Sequence, residues 1–323
     1  MHAIVAREFG GPEVLTLEQL PDPKPGPGQV RVRVHAVGVN PYDTYMRSGG
    51  YAQSPTLPYT PGADAAGVVD MVGDRVSRVD IGDRVYIGGT ASGRAQGAYA
   101  SMAICTRRQI HPLPVRLTFS QGAGINVPYV TAWRALFHRA QADKGETLFI
   151  HGASGAVGLA ATQLARAEGL RVIGTAGSDE GAAIVKAQGA THVLNHHAPD
   201  YLEQLGTLTN GGPDIIIEML ANQNLDHDLG VLGKRGRIVI VGNRGRTEID
   251  ARKAMSKDAS IMGMSLWNIS EDDLVRIHES LGRGFADGAL TPVVSQELPL
   301  AEATRAHALV LEPGAKGKIV LIP

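Results

Sequence analysis

Three glycines spaced three residues apart form the part of the chain whose residue types most directly suggest chemistry. Gly152, Gly155 and Gly158 follow the apolar run 148–150 and precede the helical pattern 159–165. Without side chains here, the backbone can turn tightly and a pyrophosphate can approach main-chain N–H groups at the positive end of a helix dipole. A strand-to-helix turn with incidental glycines is the alternative, and the surrounding elements decide between the two.

Around this turn, short apolar runs alternate with amphipathic segments. We predict strands at 147–151, 171–175, 192–195, 214–220, 237–241 and 260–266, and helices at 156–167, 179–188 and 200–208. Crossovers of this length are those that a βαβ unit requires. Near-continuous runs of Val, Ile and Leu are typical of parallel strands covered on both faces. The pattern predicts a Rossmann-type, doubly wound parallel sheet, and hence an α/β fold.

Ligands of such a sheet bind beyond the carboxyl ends of its strands. This rule places seven residues beside a dinucleotide: Val241, Gly242, Asn243, Arg244, Met264, Ser265 and Leu266. An NAD-preferring site presents Asp or Glu at the end of the second strand, whereas residues 174–177 read GTAG. Since no carboxylate there repels a 2′-phosphate, we expect NADPH. No Lys or Arg follows directly, so the Ser178 hydroxyl, the Gly177 amide or Arg244 would have to bind the phosphate.

The chain up to about Gln121 has a different pattern. Val30, Val32 and Val34 alternate with polar residues, as in a strand that is exposed on one face. Further strands are predicted at 2–7, 15–18, 67–72 and 84–87, and the Pro/Gly segment 21–28 is predicted to be a loop between strands. This part is therefore expected to be mostly antiparallel β.

Composition and charge exclude several classes of protein. A chain of 323 residues usually divides into two domains, and its formal net charge of −1 lacks the basic excess that nucleic acids and anionic membranes attract. No apolar run reaches the roughly 20 residues that span a bilayer, and the first residues begin a strand pattern rather than a signal peptide. The single cysteine, Cys105, excludes an internal disulfide, so we expect a cytoplasmic protein with a buried thiol.

Seven segments together resemble the medium-chain dehydrogenase/reductase superfamily, and within it the ζ-crystallin type of NADPH:quinone oxidoreductase. They are residues 9–15, 37–41, 44–49, 57–62, 82–85, 151–155 and 217–222. The resemblance implies a GroES-like, mostly antiparallel β-barrel lobe formed by residues 1–121 with 263–323, and a dinucleotide-binding domain formed by residues 122–262. It also implies a homodimer or homotetramer.

The resemblance implies a quinone as the substrate and NADPH as the reductant, with ortho-quinones preferred. Tyr45 and Tyr51 match two family tyrosines that border the nicotinamide and the acceptor. A phenol can stack on a planar acceptor and donate a hydrogen bond to its oxygen. Surface tyrosines in a Gly-rich loop are the alternative. The family's cofactor contacts carry over to the seven residues placed beside the dinucleotide above. They also carry over to Ser154, Gly155, Ala156, Val157, Gly177, His196, Asn224 and Lys318. For His196 and Lys318, an exposed residue without a ligand is the alternative.

Zinc chemistry does not fit these residues. One cysteine cannot supply the Cys ligands of the zinc alcohol dehydrogenases, and Gly62-Ala63-Asp64 stands where those enzymes place Gly-His-Glu. His196 and His197 are neighbours whose side chains are expected to point apart, so a shared metal is not predicted. Without a Lewis acid, alcohol oxidation is disfavoured, whereas a quinone is already electron-poor.

Two polar residues of the segment that contains Tyr45 are further catalytic candidates. Asn40 and Arg47 could polarise a carbonyl or bind a phosphate, although Arg47 could also be only solvated. Asp64 follows Pro61-Gly62 and is expected in a turn or a buried hydrogen bond rather than as an acid catalyst. No Ser/His/Asp relay is recognisable, so a Tyr hydroxyl or water is the expected proton source.

Two other functions remain open. Related enzymes of the superfamily reduce enones or enoyl thioesters, in which hydride addition at one carbon requires a proton at the next. In a different class, ζ-crystallin-like proteins include lens structural proteins and RNA binders. An aromatic content of 5% and the lack of a basic run do not favour RNA as a partner.

Overall fold

The computed structural model describes residues 1–50, 54–89 and 96–323. Its strands, in chain order, are β1 (His2–Ala6), β2 (Leu15–Gln19), β3 (Gln29–Val39), β4 (Asp64–Val72), β5 (Arg84–Gly88), β6 (Met102–Thr106), β7 (Ile110–Pro112), β8 (Thr147–Ile150), β9 (Arg171–Ala176), β10 (His192–Asn195), β11 (Ile215–Glu218), β12 (Arg237–Ile240), β13 (Ser260–Gly263), β14 (Val294–Pro299) and β15 (Lys318–Ile322).

The α-helices are α1 (Pro41–Arg47), α2 (Phe119–Gly122), α3 (Asn126–Trp133), α4 (Ala156–Ala167), α5 (Asp179–Ala187), α6 (Tyr201–Thr209), α7 (Ala221–Val231), α8 (Ala251–Met255), α9 (Glu271–Asp287) and α10 (Ala303–Leu309). A π-helical segment, Arg134–Arg139, continues α3. Within the described ranges, no helix has both the length and the apolar character needed to cross a membrane.

The chain forms two compact units. The first, here called the barrel unit, contains Met1–Val127, His278–Glu312 and Gly317–Pro323, and the second, the nucleotide unit, contains Pro128–Ile277 and Pro313–Lys316. Residues 263–277, which the sequence assigned to the GroES-like domain, therefore cluster with the nucleotide unit. The division into functional domains at 121 and 262 stays a prediction.

The nucleotide unit is built on a six-stranded sheet in the order β10-β9-β8-β11-β12-β13, and each neighbouring pair is parallel. This is the strand order of a doubly wound dinucleotide-binding sheet. All four residues of β11 are buried, as a parallel strand covered on both faces requires. The predicted α/β fold is confirmed.

The predicted strands of this sheet differ from the observed ones mainly at their carboxyl ends. Those predicted to reach residues 151, 220, 241 and 266 end at Ile150, Glu218, Ile240 and Gly263. The apolar pattern continues past each strand because the loop residues are also partly buried, while the ladder stops where the chain turns toward the next helix. The residues predicted to contact a cofactor therefore lie in loops.

The barrel unit contains a seven-stranded sheet in which β14-β15-β3-β4-β5-β7 follow one another and β6 also pairs with β3. The pairs are antiparallel except β14 with β15, and β1 and β2 form a separate antiparallel ribbon. In β3, the buried residues Val30, Val32 and Val34 alternate with more exposed ones, as predicted. The mostly antiparallel lobe is thus confirmed, and the segment 21–28 is a loop.

Candidate active site

The turn between β8 and α4 has the geometry of a phosphate cradle. Gly152 has a φ of +57°, a left-handed conformation that favours glycine, and a Cβ built on it would lie 4.0 Å from the Cβ of Met219, in ordinary van der Waals contact. Gly158 is required for a different reason, since a Cβ there would lie 2.6 Å from the Cα of Ala153. Gly155 is the N-cap of α4 and provides no side-chain cap.

An α-helix leaves its first N–H groups without intrahelical partners, and in α4 these belong to Ala156, Val157 and Gly158. The turn is held in place by β9, because the Thr175 hydroxyl accepts a hydrogen bond from the Gly152 N–H at 3.0 Å. The residues present therefore fit a pyrophosphate, which would bind to backbone amides at the positive end of α4.

The end of β9 brings together two of the predicted cofactor residues. Ser178 caps α5, and its Oγ accepts a hydrogen bond from the Gly181 N–H at 3.1 Å. A Cβ built on Gly177 would lie 2.8 Å from His196 Nε2 and 2.9 Å from His197 Nε2. The expectation that the two imidazoles point apart is therefore wrong. Both follow β10 in a turn, where side chains do not alternate as in a strand. Burial, followed by the charge of His197, lowers the pKa of His196.

The residues predicted beyond β12 and β13 lie at the carboxyl edge of the sheet. Gly242 is packed against Met219, whose carbonyl oxygen would lie 2.1 Å from a Cβ at position 242. Val241 donates its N–H to the Glu218 carbonyl at 2.8 Å. The exposed loop holds Asn243, whose side chain donates to the Gly245 carbonyl, and Arg244, whose N–H donates to Asn222 Oδ1. The neighbouring loop holds Met264, Ser265 and Leu266, all partly buried.

A buried cluster beneath this edge was missed by the sequence analysis. His151 Nε2 lies 2.7 Å from Asp228 Oδ1 and 3.4 Å from Glu218 Oε2, and both carboxylates are fully buried. Glu218 Oε1 accepts a hydrogen bond from the side chain of Asn224 at 3.1 Å, which links the cluster to a predicted cofactor residue. Burial raises the pKa of Glu218 to about 7 and lowers that of His151. The sequence did carry a signal for this cluster, because His151 directly follows the apolar strand β8 and Glu218 ends the apolar strand β11.

Among the residues that the structure describes, these three are the cluster whose potential metal-ligating atoms all lie within 4.8 Å of one another. That metal plays no part in this protein stays a prediction. The single cysteine, Cys105, is fully buried in β6, and burial raises the pKa of its thiol to about 12.

The predicted catalytic residues of the barrel unit lie on or beside α1. Tyr45 is partly exposed on this helix, and Tyr51 lies outside the described residues. Arg47 is 6% exposed and therefore not solvated, because its Nε donates to the Gly10 carbonyl and its Nη1 lies 3.3 Å from His307 Nδ1. Catalysis by these residues stays a prediction.

Asn40 and Lys318 form a buried polar group with Asp64. Lys318 Nζ donates to Asn40 Oδ1 at 2.6 Å and to Asp64 Oδ2 at 2.7 Å, and Asn40 Nδ2 donates to the same carboxylate oxygen. Asp64 also accepts hydrogen bonds from the Asn126 side chain and the Val127 N–H. With its side chain 2% exposed, Lys318 is not the exposed lysine of the alternative interpretation. Of the two roles expected for Asp64, a turn residue or a buried hydrogen-bonding residue, the structure shows the second.

Comparisons with known proteins cover the entire chain. Residues 26–115 match the family described as alcohol dehydrogenase GroES-like domain, and residues 156–277 match the family described as zinc-binding dehydrogenase. The quinone oxidoreductase of Rattus norvegicus is 46% identical and that of Homo sapiens 45% identical, each with 100% of this chain and 98% of the relative covered.

Solved structures are similar over the same length. The Escherichia coli quinone oxidoreductase in complex with NADPH has a TM-score of 0.89 at 30% identity, and 100% of both chains is covered. An NAD-dependent alcohol dehydrogenase has a TM-score of 0.92 at 31% identity, again with 100% of both chains covered. The fold is thus shared by proteins that are named for different substrates and cofactors.

Proposed function

Because the chain belongs to the quinone oxidoreductases of the medium-chain dehydrogenase/reductase superfamily, we propose that it reduces ortho-quinones with NADPH and without zinc. The observation that carries this proposal is the glycine turn at the start of α4, in a chain that aligns from end to end with quinone oxidoreductases. The absence of a carboxylate at residues 174–177 supports NADPH over NADH.

The residues would act by binding and orientation rather than by covalent chemistry. NADPH, when bound, supplies the hydride. The amides of Ala156, Val157 and Gly158 would hold its pyrophosphate. The Tyr45 hydroxyl would donate a hydrogen bond to the acceptor oxygen, where negative charge develops during reduction. A quinone needs no Lewis acid for this step, because it is electron-poor before it binds.

Three acceptors compared in parallel test the function. NADPH oxidation would be followed with phenanthrenequinone, a simple alkenone and an enoyl thioester, and each would be repeated with NADH. We expect phenanthrenequinone with NADPH to give the highest kcat/KM. Faster reduction of the alkenone or thioester would favour the double-bond reductase instead, and much faster oxidation of NADH would contradict the cofactor assignment.

We also propose a cytoplasmic homodimer or homotetramer. The cytoplasmic location rests on the single, buried cysteine, which fits a reducing compartment. Oligomer formation is supported by β13, the last strand of the six-stranded sheet. Most of its residues are exposed, among them Ile261 at 38%. A second copy could add its own β13 to this edge and cover these groups.

A further inference from the structure

A basic residue from the C-terminal part of the chain, Lys316, lies beside the start of α5. Residues Pro313–Lys316 cluster with the nucleotide unit, although the residues on both sides belong to the barrel unit. A Cβ built on Gly155 would lie 3.9 Å from the Cβ of Ala315, which places this segment beside the phosphate turn. Lys316 forms an ion pair with Glu180, which lies in the first turn of α5.

Polar side chains near this ion pair are here called the polar rim. A Cβ built on Gly181 would lie 3.2 Å from Ser178 Oγ and 3.4 Å from Ser154 Cβ. Ser178 follows Gly177, against which the Nε2 atoms of His196 and His197 both lie. The rim therefore extends from the phosphate turn, past Lys316 and the start of α5, to the two histidines after β10. The end of the second strand is where this fold binds the adenosine ribose.

We propose that Lys316 is the cation that recognises the 2′-phosphate of NADPH, with His197 and His196 as hydrogen-bond donors on the other side of Gly177. This assignment rests on the proposed function, since it concerns the same cofactor. Lys316 would exchange its carboxylate partner, Glu180, for the phosphate. A phosphate accepts strong, charge-assisted hydrogen bonds from ammonium and imidazole groups, and NADH offers only a hydroxyl at this position.

The exchange is energetically accessible because the ion pair is exposed. The Lys316 side chain is 36% exposed and that of Glu180 is 68% exposed. Exposed pairs of this kind contribute little to stability, so little is lost when Lys316 leaves its partner. The Glu180 carboxylate would repel the 2′-phosphate. In the absence of Lys316, this repulsion would lower the affinity for NADPH. Removing the charge of Lys316 and removing the charge of Glu180 should therefore have opposite effects on the binding of the 2′-phosphate.

Binding of nucleotide fragments tests the assignment without catalysis. Calorimetric titrations would compare adenosine 2′,5′-bisphosphate with adenosine 5′-monophosphate for the wild type, Lys316→Met, Lys316→Arg, Glu180→Gln and His197→Asn. Lys186→Met is the matched control, because Lys186 is an exposed lysine farther along α5. Circular dichroism would verify that each variant is folded.

We expect Lys316→Met to weaken binding of the bisphosphate about tenfold, as the loss of one charge-assisted hydrogen bond implies. Binding of the monophosphate should be unchanged. Lys316→Arg should retain most of the preference, Glu180→Gln should increase it, His197→Asn should reduce it, and Lys186→Met should bind like the wild type.

Two results would overturn the assignment. If Lys316→Met bound the bisphosphate like the wild type, while the wild type still reduced phenanthrenequinone with NADPH, Lys316 would be excluded and the proposed function would stand. If the wild type itself did not prefer the bisphosphate, both the assignment and the NADPH part of the proposed function would fail.

Discussion

At the scale of single residues, a polar side chain in this protein is defined by partners that are far away in sequence. Lys318 meets Asn40 across 278 positions and Asp64 across 254. It is therefore part of the interior of the barrel unit, although its own segment, Gly-Ala-Lys-Gly-Lys, reads as an exposed loop. Lys318 is thus a buried cation rather than the exposed lysine of the alternative interpretation, and its burial has a direct energetic consequence.

Lys318→Met should lower the free energy of unfolding by about 3–5 kcal/mol, because the Asp64 carboxylate would stay buried without its counter-charge. Chemical denaturation of the variant and of the wild type measures the change. The double variant Lys318→Met/Asp64→Asn should recover part of the loss, since it removes the uncompensated charge. Lys186→Met, at an exposed site, should unfold like the wild type. Equal stability of all four proteins would contradict the buried ion pair.

Tyr45→Phe should lower kcat with phenanthrenequinone about 10- to 100-fold, because a hydrogen bond to a developing oxyanion contributes about 1.5–3 kcal/mol. The Kd of NADPH should change little, since the proposed contact is with the acceptor. Tyr201→Phe, at a partly buried position on α6, serves as the control and should leave kcat unchanged. Unaltered turnover in Tyr45→Phe would remove this residue from the catalytic candidates.

At the scale of secondary-structure elements, the glycines of the phosphate turn have separate tasks. Gly152 supplies a positive φ, while Gly158 allows α4 to pack on the turn that precedes it. Because each glycine meets a local geometric requirement, the turn could be predicted from the glycine spacing together with the strand before it and the helix after it.

Gly158→Ala should destabilise the protein by about 1–3 kcal/mol and weaken NADPH binding, because the added Cβ would collide with backbone atoms of Ala153 and Gly152. Gly206→Ala is a matched control in α6, where an added Cβ meets nothing within 4 Å. That substitution should stabilise the protein by about 0.5–1 kcal/mol. Thermal unfolding with and without NADPH distinguishes the two, and an equal effect of both alanines would refute the packing argument.

The cluster of His151, Glu218 and Asp228 joins β8, β11 and α7, and it should make stability depend on pH. Burial raises the pKa of Glu218 from 4.5 to about 7, so the folded state binds a proton that the unfolded state releases. The stabilisation is fully present below pH 4.5 and is lost as the pH rises through about 7.

Glu218→Gln, which keeps the shape of the side chain without its titration, should reduce this dependence between those limits, while Asp228, whose pKa burial also raises to about 7, continues to titrate. Denaturation midpoints measured at closely spaced pH values provide the test. Glu203→Gln is a suitable control, because Glu203 is an exposed residue of α6. A pH profile of Glu218→Gln that overlays that of the wild type would show that Glu218 does not titrate in this range.

At the scale of the whole molecule, the sequence predicted what repeats along the chain and missed what is assembled from distant parts. The parallel sheet, the antiparallel lobe and the residues at the carboxyl edge followed from periodicity and from the rule for ligand sites. The pairing of Lys316 with Glu180, the environment of Lys318 and the His151 cluster depend on contacts between segments that share no local pattern. The facing imidazoles of His196 and His197 were missed because a turn, not a strand, sets their directions.

The final prediction concerns how copies of the chain associate. An edge strand with unpaired backbone groups and an exposed isoleucine invites pairing, and a lysine placed on such an edge opposes it, since burying the charge is costly. Ile261→Lys should therefore shift the protein toward the monomer in size-exclusion chromatography with light scattering.

Val115→Lys is the matched control, because Val115 is 90% exposed and lies in the barrel unit. It should leave the mass unchanged. If Ile261→Lys also kept the mass of the wild type, subunits would associate through another surface. If the wild type itself were monomeric, the exposed edge would have to be tolerated in solution, and the proposed oligomer would be wrong.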